Sequence, residues 1–243
     1  MTDPTIIIGE DAGFHNRDLK RAQERLKTGK QYTDLSTICV IPTRGLIPAR
    51  VTESWLNLQA PMNNRFLRMF VQGMEVGDAY EQAVELIMGH PELSKWRFML
   101  TMEDDNMPPV DGLLKLLESI CHCKKLCQEH YAQVAGLYFT KGEAGQPMIY
   151  GNPKEMLAFQ PQIPIVDKLQ ECNGTGMGFT LFRLDLFRDK KIERPWFKTV
   201  QGKEGMGTQD LYAMAKFRKA GYRIASDNRV KVGHYDHESG IVW

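Results

Sequence analysis

Short apolar runs alternate with segments of helical periodicity from residue 37 to the end of the chain. Short apolar runs predict a buried strand at TICVIP (37–42) and further strands at RFLRMFVQ (65–72), RFMLTM (97–102), VAGLYF (134–139) and GMGFTLFRL (176–184). Apolar positions at helical spacing predict helices at 78–88, 110–130 and 208–217, with a short helical turn at 185–187. Two further short strands are predicted at YRIAS (222–226) and RVKVGH (229–234).

The alternation of strands and helices favours an α/β fold, with a mostly parallel sheet that is covered by helices on both faces. Residues 1–35 differ from the rest, because an isoleucine run at 6–8 precedes a charged stretch at 16–30 with only a weak helical stripe. We therefore predict an N-terminal extension over 1–35 and a single domain over 36–243.

The most informative polar segment is the acidic tetrapeptide Glu103-Asp104-Asp105-Asn106, which follows the strand RFMLTM. Three adjacent carboxylates repel one another unless a cation is present, and hard oxygen ligands suit Mg²⁺ or Mn²⁺. No lysine stands beside them in the sequence to neutralise the charge. In parallel sheets ligands bind beyond the carboxyl ends of the strands, where PTRG (42–45) also falls. The alternative is a solvated acidic turn before a helix that starts with two prolines.

Three other features could take part in a site. Asp210 follows Thr208, the predicted N-cap of a helix that ends at Gly221, so it is either a helix-terminal charge or a general base whose pKa the helix dipole keeps low. His234 ends the last strand and is either structural or a metal ligand, and His237 makes a histidine pair conceivable. The glycines of NGTGMG (173–178) would let the backbone approach a ligand closely.

The five cysteines are odd in number, which makes a disulfide framework unlikely, and reduced thiols predict a cytoplasmic protein. A cluster at Cys121, Cys123, Cys127 and His130 lies on one predicted helix. Because structural zinc usually takes ligands from at least two segments, we predict packing and not zinc for this cluster.

The formal net charge of +1 argues against a global attraction to nucleic acid or membranes. A local basic cluster is still present late in the chain, at Arg218, Lys219, Arg223, Arg229 and Lys231. It makes a phosphate-bearing partner such as DNA conceivable, although a solvated surface is the simpler interpretation. No apolar stretch approaches the ~20 residues of a membrane span, and we predict neither a signal peptide nor a transmembrane segment.

The order of these segments resembles that of GT-A glycosyltransferases, particularly the large inverting group typified by cellulose- and hyaluronan-type synthases. The resemblance covers about residues 36–236 and rests on the sequence PTRG, EDDN-x-PP, GTGMGFTLFR, GTQDLYAMAKFRKAGYRI and VKVGH. It implies a GT-A type, Rossmann-like mixed sheet. It also implies metal-dependent transfer of a sugar, with inversion, from a nucleoside-diphosphate sugar, with a UDP-sugar favoured.

The resemblance also implies roles for single residues. Asp210 takes the position of the catalytic base, and Asp105 and His234 take the positions that hold Mg²⁺ or Mn²⁺ (magnesium or manganese). The residues at nucleotide-sugar-binding positions are Thr43, Arg44, Glu103, Asp104, Asp105, Gly174, Thr175 and Gly176. The chain departs from the family in Glu103, where the first Asp is usual, and in Gln209, where Glu is usual. It also has no QxxRW-type motif, which disfavours a polymerising enzyme.

Two other functions remain open at this point. Nucleotidyl transfer on a related sheet also uses carboxylates and Mg²⁺, but it usually needs a longer basic loop than PTRG, and its leaving group is pyrophosphate. A degenerate GT-A fold could instead serve as a non-catalytic binding module. The acceptor of the proposed transfer is equally open among a saccharide, a lipid, a protein and a modified DNA base.

Overall fold

The computed structural model describes residues 34–62, 64–120, 131–155, 157–202 and 205–243. A seven-stranded mixed sheet forms the centre of the molecule. The strands in chain order are β1 (Thr37–Thr43), β2 (Phe66–Gln72), β3 (Phe98–Met102), β4 (Asn106–Met107), β5 (Tyr131–Leu137), β6 (Ile149–Tyr150), β7 (Leu169–Cys172), β8 (Gly174–Thr175), β9 (Phe179–Arg183), β10 (Val200–Gly202), β11 (Gly205–Gly207), β12 (Arg223–Lys231) and β13 (Gly233–His234).

The central sheet has the order β2-β1-β3-β9-β5-β12-β7. β1 runs parallel to β2 and β3, and β5 runs parallel to β12, whereas β9 and β7 are antiparallel to their neighbours. This mostly parallel, Rossmann-like α/β arrangement confirms the predicted fold class. Three short ladders lie outside the sheet and pair β4 with β13, β6 with β8, and β10 with β11.

Within the described residues four α-helices flank the sheet: α1 (Ala49–Asn57), α2 (Val76–Gly89), α3 (Gly112–Ile120) and α4 (Gln209–Lys219). Single 3-10 turns lie at Leu93–Lys95 and Leu184–Arg188. The carboxylate of Glu75 accepts the first free N–H groups of α2 and so caps that helix. In the described part of the chain, no helix is long and apolar enough to cross a membrane.

Both faces of the sheet are buried along its inner strands, which explains their near-continuous apolar sequences. Ile38 and Val40 of β1 point into a cluster with Tyr80 of α2 and Phe217 of α4. Alternate side chains of the same strand enter a second cluster on the opposite face, which contains Trp55 of α1 and Leu113 of α3. Helices on both faces therefore hold the carboxyl ends of the central strands in fixed positions.

The structure corrects several element predictions. The two strands predicted at 222–226 and 229–234 are wrong, because one strand with a bulge, β12, spans Arg223–Lys231. Helix α1 was not predicted, although Val51 and Trp55 give it a buried face. The predicted helix at 110–130 is described only to Ile120, so the cysteine cluster (121–130) lies outside the described residues. The same holds for residues 1–33 of the predicted N-terminal extension.

Candidate functional site

The candidate site lies where the carboxyl ends of β1 and β3 meet. From β1 the chain passes to β2, which lies on one side of β1, and then to β3, which lies on the other side. The order of the strands therefore reverses between β1 and β3. Open α/β sheets bind ligands at such a switch point. Here the backbone N–H of Arg44 donates to Oδ2 of Asp104 over 3.2 Å, which joins the end of β1 to the acidic segment. Thr43, Arg44 and the acidic segment are therefore brought together.

The acidic segment is a tight turn that neighbouring elements fix in place. The N–H of Glu103 donates to the carbonyl of Gly178 over 3.1 Å, and the indole of Trp55 donates to the carbonyl of Asn106 over 2.9 Å. A Cβ at Gly178 would lie 2.3 Å from Oδ1 of Asn106, so only glycine fits there. The last glycine of NGTGMG thus serves the packing of the acidic turn.

The ladder of β4 and β13 carries His234 to the acidic turn, because His234 pairs with Asn106 in that ladder. Its Nε2 lies 3.3 Å from Oδ2 of Asp105. Its Nδ1 lies 2.8 Å from the carbonyl oxygen of Phe139, which can only accept a hydrogen bond. Nδ1 therefore carries a proton, and Nε2 faces the carboxylate of Asp105: it donates to Oδ2 when the ring is charged and presents a lone pair when the ring is neutral. His237, by contrast, is exposed and packs edge-to-face on Tyr235.

With the ring neutral, Nε2 and Oδ2 are two acceptors that converge, and such a pair fits a divalent cation between them. Protein ligands at about 2.0–2.2 Å and at right angles around one ion are about 3 Å apart, close to the observed 3.3 Å. A hydrogen bond from the other ring nitrogen to a backbone carbonyl is also typical of a ligating histidine. No group of three or more His, Cys, Asp or Glu side chains among the described residues could hold an ion by itself. The pair thus fits a site that substrate phosphates and water would complete.

Lys141 contradicts the prediction that no lysine neutralises the carboxylates. It lies beyond β5, and its Nζ is 2.7 Å from the same Oδ2 of Asp105. Burial alone would raise the pKa of Asp105, but hydrogen bonds from His234 and Lys141 lower it to about 2. Asp105 is therefore ionised throughout the neutral range.

Glu103 behaves in the opposite way. Burial, reinforced by the charges of Asp105 and Asp210, raises the pKa of the Glu103 carboxyl to about 8. The Glu103 carboxyl is therefore largely protonated at pH 7, whereas that of Asp105, two residues along the chain, is ionised because its surroundings differ. A protonated Glu103 can donate a hydrogen bond and adds no negative charge to the turn.

Asp210 lies in the first turn of α4 and is only 5% exposed. Its Oδ1 accepts the N–H of Leu211 over 2.8 Å, and the Thr208 hydroxyl bonds the carboxylate without capping the helix backbone. Burial nevertheless raises the pKa of Asp210. The prediction that the helix dipole keeps this pKa low is therefore wrong, and an ionised Asp210 is a stronger base than predicted.

Two buried tyrosines adjoin these carboxyls and were not predicted as site residues. The N–H of Gly178 donates to the hydroxyl oxygen of Tyr138 over 3.0 Å, and the hydroxyl of Tyr80 has no hydrogen-bond partner among the described residues. Burial, together with the charges of Glu103 and Asp210, raises both tyrosine pKa values well above their usual range, so both hydroxyls keep their protons. The sequence gives no signal for Tyr80, because it lies on the apolar stripe of α2.

The glycine-rich segment is buried in the structure. The hydroxyl of Thr175 accepts a hydrogen bond from Nε2 of Gln133 over 2.7 Å and faces the core. A Cβ at Gly176 would lie 2.0 Å from the Tyr138 hydroxyl, and one at Gly174 would lie 2.9 Å from Leu211. Packing accounts for these residues, and their contact with a sugar nucleotide stays a prediction.

The late basic cluster is largely neutralised by carboxylates. This local balance leaves little positive charge for a phosphate backbone and does not favour a DNA partner. Four of its five residues form ion pairs: Arg218 and Arg223 with Glu171, Arg229 with Asp227, and Lys231 with Asp167.

Comparisons with known proteins support the fold alone. No protein-family model matches the chain, and no curated protein sequence matches it. Among solved structures, the chain is similar to A197 from STIV, with a TM-score of 0.58 and 19% sequence identity. That similarity covers 84% of this chain and 87% of A197. At this identity it establishes a common architecture and carries no statement about activity.

Proposed function

We propose that this protein is an inverting, metal-dependent GT-A glycosyltransferase that uses a nucleoside-diphosphate sugar. One observation carries the proposal. At the switch point of the sheet, Oδ2 of Asp105 and Nε2 of a carbonyl-anchored His234 converge to 3.3 Å. A site of this kind leaves most positions of a cation to phosphate oxygens, as a diphosphate donor requires. A UDP-sugar is the favoured donor by resemblance to the family.

The sugar nucleotide would occupy the crevice between the ends of β1 and β3. Thr43 and Arg44 border it on one side and the acidic turn on the other. A divalent cation held there would neutralise the charge that develops on the leaving diphosphate. Asp105 suits this position because it stays ionised at every pH near neutrality.

Asp210 is the proposed general base. The acceptor oxygen forms a bond to the anomeric carbon while its proton passes to the Asp210 carboxylate. The bond from the anomeric carbon to the phosphate oxygen breaks, and its electron pair leaves with the nucleoside diphosphate. Attack opposite to the leaving group inverts the anomeric centre. The raised pKa of Asp210 favours this proton transfer, because a base is more effective when its pKa approaches the working pH.

A second candidate is a non-catalytic module that binds sugar nucleotides without transfer. The ion pair of Lys141 with Asp105 favours it, because an ammonium group at 2.7 Å already neutralises the carboxylate that a metal would need. The two candidates differ in turnover and not in binding, so both are compatible with a nucleotide in the crevice.

Binding and turnover can be measured separately. Differential scanning fluorimetry with UDP-, GDP-, TDP- and CMP-sugars, with and without Mn²⁺, should give a Tm increase for one nucleotide that depends on Mn²⁺. Release of nucleoside diphosphate from that sugar then distinguishes the enzyme from the module. Asp105→Asn should lose the Tm increase, and Asp111→Asn, which removes a surface ion pair with Lys115, should keep it. An increase that Asp105→Asn leaves unchanged would contradict the proposed site.

A further inference from the structure

Lys141 lies at the tip of a hairpin that also orients the proposed metal ligand. The arms of this hairpin, residues 138–148, are joined by the hydrogen bonds from Thr140 N–H to the carbonyl of Gln146 and from Met148 N–H to the carbonyl of Tyr138. Its tip turns at Gly142, whose φ of +101° suits glycine. One arm supplies the Phe139 carbonyl that fixes the His234 ring. The position of Lys141 is therefore coupled to that of His234.

Lys141 and His234 approach one and the same oxygen atom. Nζ of Lys141 is 2.7 Å and Nε2 of His234 is 3.3 Å from Oδ2 of Asp105. Lys141, His234 and Asp105 are 31%, 16% and 18% exposed, respectively, so all three are partly accessible to solvent and are not locked in the core. A cation bound to this oxygen would lie within about 5 Å of the ammonium group, given ligand bonds of about 2.1 Å.

A divalent cation and the Lys141 ammonium therefore cannot share the present arrangement without strong repulsion. The ammonium group is carried on a four-carbon chain at a glycine-containing tip, so it can move while the hairpin stays in place. The nearest strong acceptor for it, once a sugar nucleotide is in the crevice, is the diphosphate that the same cation would contact. Lysine is a frequent phosphate ligand because it acts as a compact point charge.

We propose that Lys141 is a donor-binding residue that moves from Asp105 to the diphosphate of the nucleotide. This inference rests on the proposed function, because it assumes a nucleoside diphosphate in the crevice. In the free protein the ion pair holds Asp105 and opposes metal binding. In the complex the same ammonium group binds a phosphate oxygen and adds to the charge that stabilises the leaving group.

Such an exchange makes metal and nucleotide binding mutually dependent. Mn²⁺ alone must displace Lys141 while no anion is available to receive it. With UDP present, the displaced ammonium group gains a phosphate contact, so each ligand increases the affinity for the other by the same factor. Part of that coupling comes from direct metal–phosphate contact, and the part owed to Lys141 disappears when its charge is removed.

The test compares wild type, Lys141→Met, Lys141→Arg and the control Lys95→Met, which removes an exposed ion pair with Glu92. Mn²⁺ binding is followed by electron paramagnetic resonance and UDP binding by calorimetry, each with and without the other ligand. In Lys141→Met we expect Mn²⁺ alone to bind roughly 3–10-fold more tightly. We expect UDP with Mn²⁺ to bind about 10-fold or more weakly. Lys141→Arg keeps the positive charge, so it should retain the weak binding of Mn²⁺ alone and the tight binding of UDP with Mn²⁺ that wild type shows. Lys95→Met should match wild type in both affinities.

Two results would contradict the inference while leaving the proposed function intact. One is that UDP and Mn²⁺ increase the affinity for each other by the same factor in Lys141→Met as in wild type. The other is weaker binding of Mn²⁺ alone to Lys141→Met, since Lys141 would then support the metal site and not compete with it. If wild-type protein binds neither UDP nor Mn²⁺, the proposed function fails and the inference fails with it.

Discussion

Replacing Asp210 by asparagine separates a catalytic carboxylate from a helix-terminal charge, because the two roles predict different changes in stability. The amide has nearly the same size as the carboxylate. Its oxygen can still accept the Leu211 N–H, which donates to Oδ1 of Asp210 over 2.8 Å. The substitution therefore removes little besides a negative charge, one that is 5% exposed and whose pKa burial raises.

The sign of the stability change follows from the raised pKa of Asp210. A carboxyl whose pKa is higher in the folded than in the unfolded chain stabilises the fold fully below its unfolded pKa, about 4, and that stabilisation is lost as the pH rises through the folded pKa. The wild-type protein has lost this stabilisation at neutral pH, where Asp210 is ionised, whereas the neutral amide of Asp210→Asn does not titrate. We expect the Tm of the variant at pH 7–8 to equal or exceed that of wild type. A charge that served only the helix dipole would instead cost about 0.3–1 kcal/mol on removal.

Turnover should change far more than stability. Loss of a general base lowers kcat about 10²–10⁴-fold, which corresponds to about 3–5 kcal/mol of activation free energy. The nucleotide Kd should stay the same, because in the proposed reaction the acceptor hydroxyl, and not the nucleotide, faces this carboxylate. The assay is release of nucleoside diphosphate under saturating donor, combined with a Tm measurement on the same sample.

Asp78→Asn is the matched control, since Asp78 is an exposed carboxylate in the first turn of α2. It should lose up to about 1 kcal/mol of stability and keep the wild-type kcat. If Asp210→Asn keeps the wild-type kcat and loses stability, as the control does, Asp210 is a helix-terminal charge and not the general base.

Three further predictions concern the acidic turn. Asp105→Ala should abolish metal-dependent nucleotide binding in calorimetry. A nucleotide affinity of the wild-type protein that stays the same in excess EDTA would contradict a metal at this carboxylate. His234→Ala should weaken Mn²⁺ binding about 10–100-fold or more with little change in Tm, whereas normal Mn²⁺ affinity with a large loss of Tm would make His234 structural. Glu103 has a pKa raised to about 8, so it stabilises the metal-free fold fully below pH 4 to 5 and that stabilisation is lost as the pH rises through 8. Tm measured from pH 5 to pH 9 should therefore fall less in Glu103→Gln than in wild type, and parallel curves would show that Glu103 titrates normally.

The inner strands β1, β3, β5 and β9 of the central sheet could be predicted because burial on both faces leaves a direct trace in the sequence, whereas β7 (Leu169–Cys172), with its alternating burial, was not predicted. The run TICVIP has apolar side chains in two core clusters, and its buried strand is confirmed. The bulged strand β12 was predicted as two strands, because Asp227 and Asn228 look like turn residues. Both are fully buried in the structure, where Arg229 and Ser119 bond Asp227. Polar partners far along the chain cannot be seen in a local pattern.

Some features of the candidate site could likewise be predicted from the sequence, and others could not. Asp105 and His234 could be predicted as a pair only through the order of motifs, and the ladder of β4 and β13 brings them together. The lysine that contacts Asp105 was missed because it arrives on a hairpin 36 positions away in the chain. The raised pKa of Asp210 was missed because burial of a helix terminus depends on packing between elements, and no sequence spacing reports that packing.

The most direct test of glycosyl transfer is NMR of the wild-type protein with UDP-, GDP- and TDP-sugars, recorded as the first product forms. We expect one of these sugars to lose its nucleoside diphosphate only when Mn²⁺ or Mg²⁺ is present. We also expect the first-formed product to have the inverted anomeric configuration. Release of pyrophosphate would indicate nucleotidyl transfer, retained configuration would exclude Asp210 as the base of a single displacement, and a nucleotide sugar that binds but stays intact would leave only the binding module.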